Sequence, residues 1–312
     1  MTMMVSVAAY RDPELVPTVL DCLAKARNPD ELRIVVCWQH LGDEDVSAIA
    51  DDPRVEVLDH DARQSRGACW ARAEVMRHYR GEEWFLQIDS HTRFAAGWDA
   101  KLIATAAATG ARKPIITCYP PQYEPGAEYT GSGEPTEIIV AGWTYDGIPY
   151  LSQRSLAERS GRPVPANFVA GGFLFAPGSL VTEVPYDPNI YFQGEELTVS
   201  LRAYTWNYDL FHPTEVLAWH YYIRPESPRH WNDHLGEDGA LTWHQRDRAS
   251  RRRINNMLRY PRPGRYGIGT ERTLADYQAY TGLNFAERSW ADARDPVAAQ
   301  HRPPPTHAGR AE

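Results

Sequence analysis

The chain has 312 residues and a net charge of −8, enough length for one large core or one core with a small subdomain. That acidic balance argues against sequence-independent nucleic-acid binding, which needs a basic surface to displace counterions from phosphates, while local basic clusters stay open. No apolar stretch approaches the roughly 20 residues that span a bilayer, and the N-terminus starts directly with a strand-like run, Met4 to Ala9, so a soluble, cytoplasmic protein is expected. Cys22, Cys37, Cys69 and Cys118 stand singly inside apolar patterns with no CxxC spacing, and read as reduced core residues. Ten Trp and 17 Tyr are a heavy aromatic load, suited either to packing on sugar rings and nucleobases or to rimming a large core.

Strand and helix signals alternate through the first part of the chain at the spacing of βαβ units. Val5 to Ala9 reads as a strand, and Pro13 to Ala26 as a helix with Asp12 as N-cap and Pro13 at its first position. Leu32 to Trp38 is a continuous apolar strand of the kind buried on both faces. Arg54 to Leu58 is a third strand, Gly67 to Tyr79 a helix and Glu83 to Asp89 a further strand. Trp98 to Thr109 reads as a helix and Pro114 to Cys118 as a strand. This alternation predicts an α/β fold with a parallel, doubly wound sheet and ligands at the carboxyl ends of its strands. From Tyr119 to Pro165 the pattern loosens, and only Glu137 to Trp143 looks strand-like. Regular structure returns over Asn167 to Ala176, with a helix around Glu195 to Tyr204 and a strand from Glu215 to His220. Trp243 to Arg259 is a basic helical stretch, and another helix starts near Thr273. Residues 291–312 are expected to form an unstructured tail, because Gln300-His301-Arg302-Pro303-Pro304-Pro305 cannot hold a helix.

Asp89-Ser90-His91 closes the run Glu83 to Ile88, at the exit of a buried strand. Strand alternation throws Asp89 and His91 to one side and Ser90 to the other, so both can reach one cation. A carboxylate beside an imidazole suits Mn²⁺, Mg²⁺ or Zn²⁺ better than Ca²⁺, which prefers an all-oxygen shell. The same tripeptide also suits an ordinary strand-end turn capped by Asp89. His220, at the end of Val216-Leu217-Ala218-Trp219, is the candidate third ligand. Two ligands from one strand end and one from a distant strand end leave positions open for a substrate.

Taken in order, Asp89-Ser90-His91, Val169-Ala170-Gly171-Gly172-Phe173-Leu174-Phe175, Gly194-Glu195-Glu196-Leu197 and His220 resemble the signature of GT-A glycosyltransferases. The chain resembles the family of GlcNAc-transferases that modify hydroxyproline on Skp1, related to the polypeptide GalNAc-transferases. Gly269-Thr270-Glu271-Arg272-Thr273-Leu274 with Tyr277 resembles that family's C-terminal segment. The resemblance implies that Asp89, His91 and His220 hold a divalent cation, Mn²⁺ or Mg²⁺, on the diphosphate of a UDP-sugar. Arg224 then adds a positive contact or is an ordinary surface Arg. Arg66, Gly67 and Arg72, in a Gly-x-x-x-Ala-Arg pattern that opens a helix, lie against the nucleotide in similar enzymes or form a solvated basic turn. The loop with Tyr10 and Arg11 follows the first strand, where the family cradles uracil and ribose, which makes Tyr10 the stacking candidate. Gly171 and Gly172 let the backbone approach a bound sugar. Glu195 and Glu196 either cap the helix they begin or, as in related enzymes, face donor sugar and acceptor, with Glu195 the preferred candidate.

The implied fold is a single GT-A domain over residues 1–290, with a mixed, mostly parallel central sheet flanked by helices and a C-terminal extension over about 225–290. The implied activity is metal-dependent, retaining transfer of GlcNAc or a related hexose or N-acetylhexosamine from a UDP-sugar to a hydroxyl acceptor: a peptide, a small metabolite or a glycan. No nucleic-acid partner and no membrane span are expected. A metal-dependent hydrolase and a silent UDP-sugar-binding protein are the rival readings. The loop Tyr119 to Pro165, with Tyr123, Tyr129, Trp143 and Tyr145, is expected to close over the donor and exclude water.

Overall fold

Strand β1 (Met3–Tyr10) sets the pattern of the molecule, because its apolar side chains alternate between two separate cores. Met4 joins one cluster with Val35, Cys37 and Phe85, while Val5 and Val7 join the other with Ile34, Val36, Leu86 and Ile88. A period of two inside a run with no polar face is what a sheet covered on both sides requires. The computed structural model describes residues 2–42, 44–126, 133–156, 161–224, 227–236 and 240–291. The expected unstructured tail falls, from residue 292 onward, outside the described residues, as does Tyr129.

After β1 come α1 (Leu15–Lys25), β2 (Leu32–His40), α2 (Ser47–Ala50), β3 (Val55–Asp61), α3 (Ala68–Met76), β4 (Trp84–Asp89), β5 (Thr92–Phe94), α4 (Trp98–Ala108) and β6 (Pro114–Thr117). The middle of the chain holds β7 (Thr136–Trp143), β8 (Pro149–Ser155), β9 (Val164–Pro165), β10 (Phe173–Pro177), α5 (Leu180–Glu183), α6 (Glu195–Thr205), β11 (Asp209–His212) and β12 (Ala218–His220). α7 (His230–Asp233), α8 (Trp243–Arg259), α9 (Leu274–Thr281), β13 (Leu283–Asn284) and β14 (Ser289–Trp290) follow.

The main sheet runs in the order β3-β2-β1-β4-β10-β6-β11-β9. The first four strands are parallel, as the βαβ spacing predicts. β10 is antiparallel to both β4 and β6, and β9 is antiparallel to β11. The sheet is therefore mixed rather than wholly parallel, because β10 enters from the Gly171-Gly172 bend at the exit of β4 and runs back along it. α8 and α9 belong to the body of the molecule: Ile254, Tyr277 and Tyr280 are buried in the first core cluster. Each begins with a capping box, Thr242 with Gln245 and Thr273 with Asp276, in which side chains satisfy orphan backbone donors. No helix among the described residues is long and apolar enough to cross a membrane. All four cysteines are buried and free.

Several boundaries differ from the sequence pattern for local reasons. α1 starts at Leu15 instead of Pro13, and Asp12 does not act as its N-cap. Asp12 Oδ1 accepts the Glu14 N–H in a turn before the helix, while its other oxygen is engaged elsewhere. α3 ends at Met76 because Arg77, His78 and Tyr79 bond three residues back in tightened turns. The strand expected from Glu215 shrinks to β12, whose partner β5 has only three residues. β8 went unpredicted. It pairs antiparallel with β7 across a turn at Thr144 to Gly147, which gives Tyr119 to Pro165 a hairpin of its own.

Candidate metal centre and adjoining cavities

Two pairings assemble the centre. The parallel register of β1 on β4 sets Ala8 opposite Asp89, which brings the loop Tyr10 to Asp12 beside the Asp-Ser-His exit. The antiparallel pairing of β12 with β5 sets His220 opposite Thr92, and the Tyr221 N–H bonds the His91 carbonyl at 3.1 Å. Asp89, His91 and His220 consequently offer ligand atoms that all lie within 4.8 Å of one another. The imidazoles meet edge to face with centroids 4.5 Å apart, and Asp89 Oδ2 lies 3.1 Å from His220 Nε2 and 3.8 Å from His91 Nε2.

The surroundings prepare these groups to bind a cation. Asp12 is 2% exposed, and its Oδ2 lies 2.8 Å from His91 Nδ1, 2.7 Å from Ser90 Oγ and 2.7 Å from an Arg224 guanidinium nitrogen. The Asp12 carboxylate accepts a hydrogen bond from the Nδ1–H, which orients the ring and turns Nε2 toward Asp89. Burial lowers the pKa of His220 to about 4, so its ring is neutral at pH 7, the form that ligates. Burial by itself would raise the Asp89 carboxyl, yet the His220 hydrogen bond, the Arg72 guanidinium and the imidazoles hold it well below the usual carboxylate range. A Cβ on Gly172 would lie 2.7 Å from Asp89 Oδ2 and 3.6 Å from His220 Nε2, so the glycine keeps the space before both ligands open. These residues fit a divalent ion with part of its coordination sphere left to another ligand.

Two cavities share the centre. One, of about 400 Å³, is lined by Tyr10, Gly67, Arg72, Asp89, His91, His220, Arg224 and Arg229 among others, with Pro228 to Trp231 at one side. The other, of about 440 Å³, is lined by Arg72, Asp89, Tyr119, Tyr150, Gly171, Gly172, Glu195, Glu196 and His220 among others. Arg72 and Arg224 each keep a buried Nε–H donor with no acceptor among the described residues, an arrangement that calls for an anionic guest.

Most of the expected residues meet here. Arg66 does not line either cavity; it is exposed, while Gly67 beside it reaches the first one. Arg11 is absent from both linings as well, and its guanidinium pairs with Asp233 at 2.9 Å, as the Tyr10 hydroxyl does at 2.7 Å. Arg72 bonds Asp89 Oδ1 at 2.8 Å and pairs with Glu195. Glu195 also accepts from the Tyr186 hydroxyl at 2.8 Å, and Glu196 from the Gly171 N–H at 2.8 Å and from the Tyr119 hydroxyl. Burial outweighs those hydrogen bonds and raises the Glu196 carboxyl. Among the loop aromatics, Tyr123 is buried with its hydroxyl on Glu14, and Trp143 packs on Phe285, so neither stands isolated; Tyr145 is exposed.

Asp12, Arg229, Tyr119 and Tyr186 were not legible as site residues. Asp12 reads as a helix cap before a proline, and the two tyrosines sit in stretches without a motif. The only signal for Asp12 was its place at the exit of the first strand, where an open sheet collects its ligands.

The family model described as Glycosyltransferase (GlcNAc) matches residues 2–54 and 46–287. No curated protein matches the chain in sequence. Among solved structures, that of GalNAc-T7 with UDP, GalNAc and Mn²⁺ is similar over 72% of this chain, with 16% identity and a TM-score of 0.54. The match spans 44% of the GalNAc-T7 chain. Structures of S. aureus TarS 1-349, alone and in complex with UDP-GlcNAc, each align over 83% of this chain and 72% and 73% of theirs, with 14% identity and a TM-score of 0.48.

Proposed function

Because the chain belongs to the GlcNAc glycosyltransferase family and has the GT-A fold, we propose that it transfers GlcNAc, or a related hexose or N-acetylhexosamine, from a UDP-sugar to a hydroxyl acceptor with the help of a divalent cation. The observation that carries this reading is the Asp89, His91 and His220 cluster at the wall between two cavities. Residues 1–290 are read as one domain with a C-terminal extension over about 225–290, in keeping with the burial of Ile254 and Tyr277 in the core.

In this reading the first cavity takes UDP and the second takes the sugar and the acceptor. Tyr10 lies beside the base, and Arg72 and Arg224, with their spare Nε–H donors, face the diphosphate. Mn²⁺ or Mg²⁺, held by Asp89, His91 and His220, would supply positive charge where the leaving UDP gathers negative charge. Gly171 and Gly172 admit the sugar ring to the second cavity. Glu195, tied to Arg72 and Tyr186, acts as a positioning residue for that guanidinium. Glu196, with the Tyr119 hydroxyl, is the better placed of the two carboxylates to orient the acceptor.

Neither carboxylate stands free of partners as a nucleophile, which favours retention by a front-face route. The bond from the anomeric carbon to the β-phosphate oxygen breaks, the acceptor oxygen bonds the same face, and its proton passes to the departing phosphate oxygen. Calorimetry of UDP binding tests the arrangement. Affinity should be far higher in Mn²⁺ than in EDTA, and His91→Ala and His220→Ala should each erase the difference. Equal affinity in both conditions overturns the proposal. Incubation with UDP-GlcNAc and other UDP-sugars should release UDP faster when an acceptor is added; release that never responds to acceptors would favour a hydrolase.

A further inference from the structure

A separate groove of about 910 Å³ lies along α8 and the turn that follows it, and it shares no lining residue with the two cavities of the metal centre. The sequence from 243 to 266 carries eight arginines against one acidic residue, Asp247, in a chain whose net charge is −8. Four of these arginines, Arg252, Arg253, Arg262 and Arg265, line the groove. Its single acid, Asp187, is buried and already accepts from Arg253 and Asn189. Arg265 lies over the Tyr266 ring at 5.4 Å, while Arg252 and Arg262 are exposed and have no acidic partner among the described residues. Charges of one sign gathered in this way raise the potential locally and are tolerated where a counter-charged partner relieves them.

We propose that this groove docks an acidic segment of a polypeptide. Carboxylates of the segment pair with Arg252, Arg262 and Arg265, whose planar forks match a carboxylate in two parallel hydrogen bonds. Apolar side chains between those carboxylates rest on Met257, Tyr260 and Tyr266, which line the same groove. Cations set beside apolar and aromatic lining residues suit a chain that carries acidic and apolar residues together. A long, uniformly charged polyanion such as a nucleic acid is opposed by the net charge of −8 that the whole chain carries. Asp187 and Ile190 line the groove and precede, in the same stretch of chain, Phe192 to Leu197, which line the second cavity. The docking does not depend on the proposed sugar transfer.

The probe is a fluorescein-labelled peptide repeating Glu-Glu-Leu, titrated with the whole protein in fluorescence anisotropy. A peptide repeating Gln-Gln-Leu, an oligothymidylate and inorganic polyphosphate are run beside it. The Glu peptide should bind at least about tenfold more tightly than the Gln peptide, and the difference should shrink as salt is raised and the charges are screened. The double charge reversal Arg252→Glu with Arg262→Glu should weaken the Glu peptide by about tenfold or more. The milder Arg252→Gln with Arg262→Gln should weaken it in the same direction, so a folding defect in the first variant does not decide the matter. UDP affinity, measured as above, should be unchanged in both variants. Equal binding of the two peptides, or retention of Glu-peptide binding by both folded variants, overturns the proposal. Tighter binding of oligothymidylate or polyphosphate than of the Glu peptide also overturns it and reassigns the groove to phosphate polyanions.

Discussion

One oxygen of Asp12 holds Ser90, His91 and Arg224 together, joining the exit of β1 to the Asp-Ser-His turn and to the segment after β12. Replacing it by Asn keeps the shape but removes the charge and turns one end of the group into a donor, which faces donors already present. Asp12→Asn should therefore weaken Mn²⁺ binding by about 10- to 100-fold, the usual effect of losing a carboxylate behind a ligating imidazole. Titration of Mn²⁺ followed by electron paramagnetic resonance checks this without an assay of turnover. Unchanged Mn²⁺ affinity would reduce Asp12 to a packing role. Gly172→Ala tests the other side of the centre. Its new methyl would meet Asp89 Oδ2 at 2.7 Å, so metal affinity should fall while the thermal transition without metal moves little.

At the scale of elements, the β7–β8 hairpin is fastened at its turn and open toward the second cavity. Arg251 of α8 pairs with Asp146 at 2.9 Å, and Arg288 bonds the Tyr145 carbonyl at 2.8 Å. Pro149, Tyr150 and Leu151 line the cavity, and Tyr150 is 58% exposed. Tyr150→Ala should raise KM for the acceptor and leave UDP affinity alone, because Tyr150 lines the second cavity and not the first. A change confined to UDP binding would show that the two cavities are wrongly assigned. If the stretch Tyr119 to Pro165 also closes over the donor, proteolysis within it should slow when UDP and Mn²⁺ are present. Shortening the hairpin turn should raise the ratio of donor hydrolysis to transfer, since water then reaches the acceptor position. A cutting rate and a hydrolysis ratio that both stay constant would leave the hairpin as a fixed wall.

The whole molecule carries a pH dependence set by buried imidazoles. Burial lowers His220 to about 4, His230 to about 3 and His234 to about 4, with neighbouring cationic groups pushing the same way. These rings stay neutral in the folded protein while the unfolded chain takes up protons near the ordinary histidine value of about 6.5. Their contribution is thus complete above about pH 6.5 and is lost as pH falls toward 4. Asp12 and Asp89, held low in the folded state, act in a lower window, below the ordinary carboxylate range. In EDTA, Tm should drop steadily between about pH 6.5 and 4, and His230→Gln should make that slope shallower. A flat Tm across the interval would contradict the burial of neutral rings.

How far the molecule could be read in advance follows from the range of each interaction. Alternation of apolar residues is local, so β1, β2, β4 and α8 stand in the primary structure, and the strand-exit position of Asp89 and His91 follows from them. The place of His220 at a strand end made it the candidate third ligand, and the match to ordered motifs added Gly171, Gly172 and the Glu195-Glu196 pair. Only the folded chain could decide the antiparallel run of β10 and the length of β12, because each depends on a partner strand remote in sequence. The same holds for Asp12, whose partners lie 78, 79 and 212 residues away. A hydrogen bond leaves no periodic trace in sequence, and an aspartate before a proline looks the same whether it caps a helix or orients a metal ligand. Residue type and spacing therefore determined which chemistry this chain can hold, and tertiary pairing decided which side chains hold it in place.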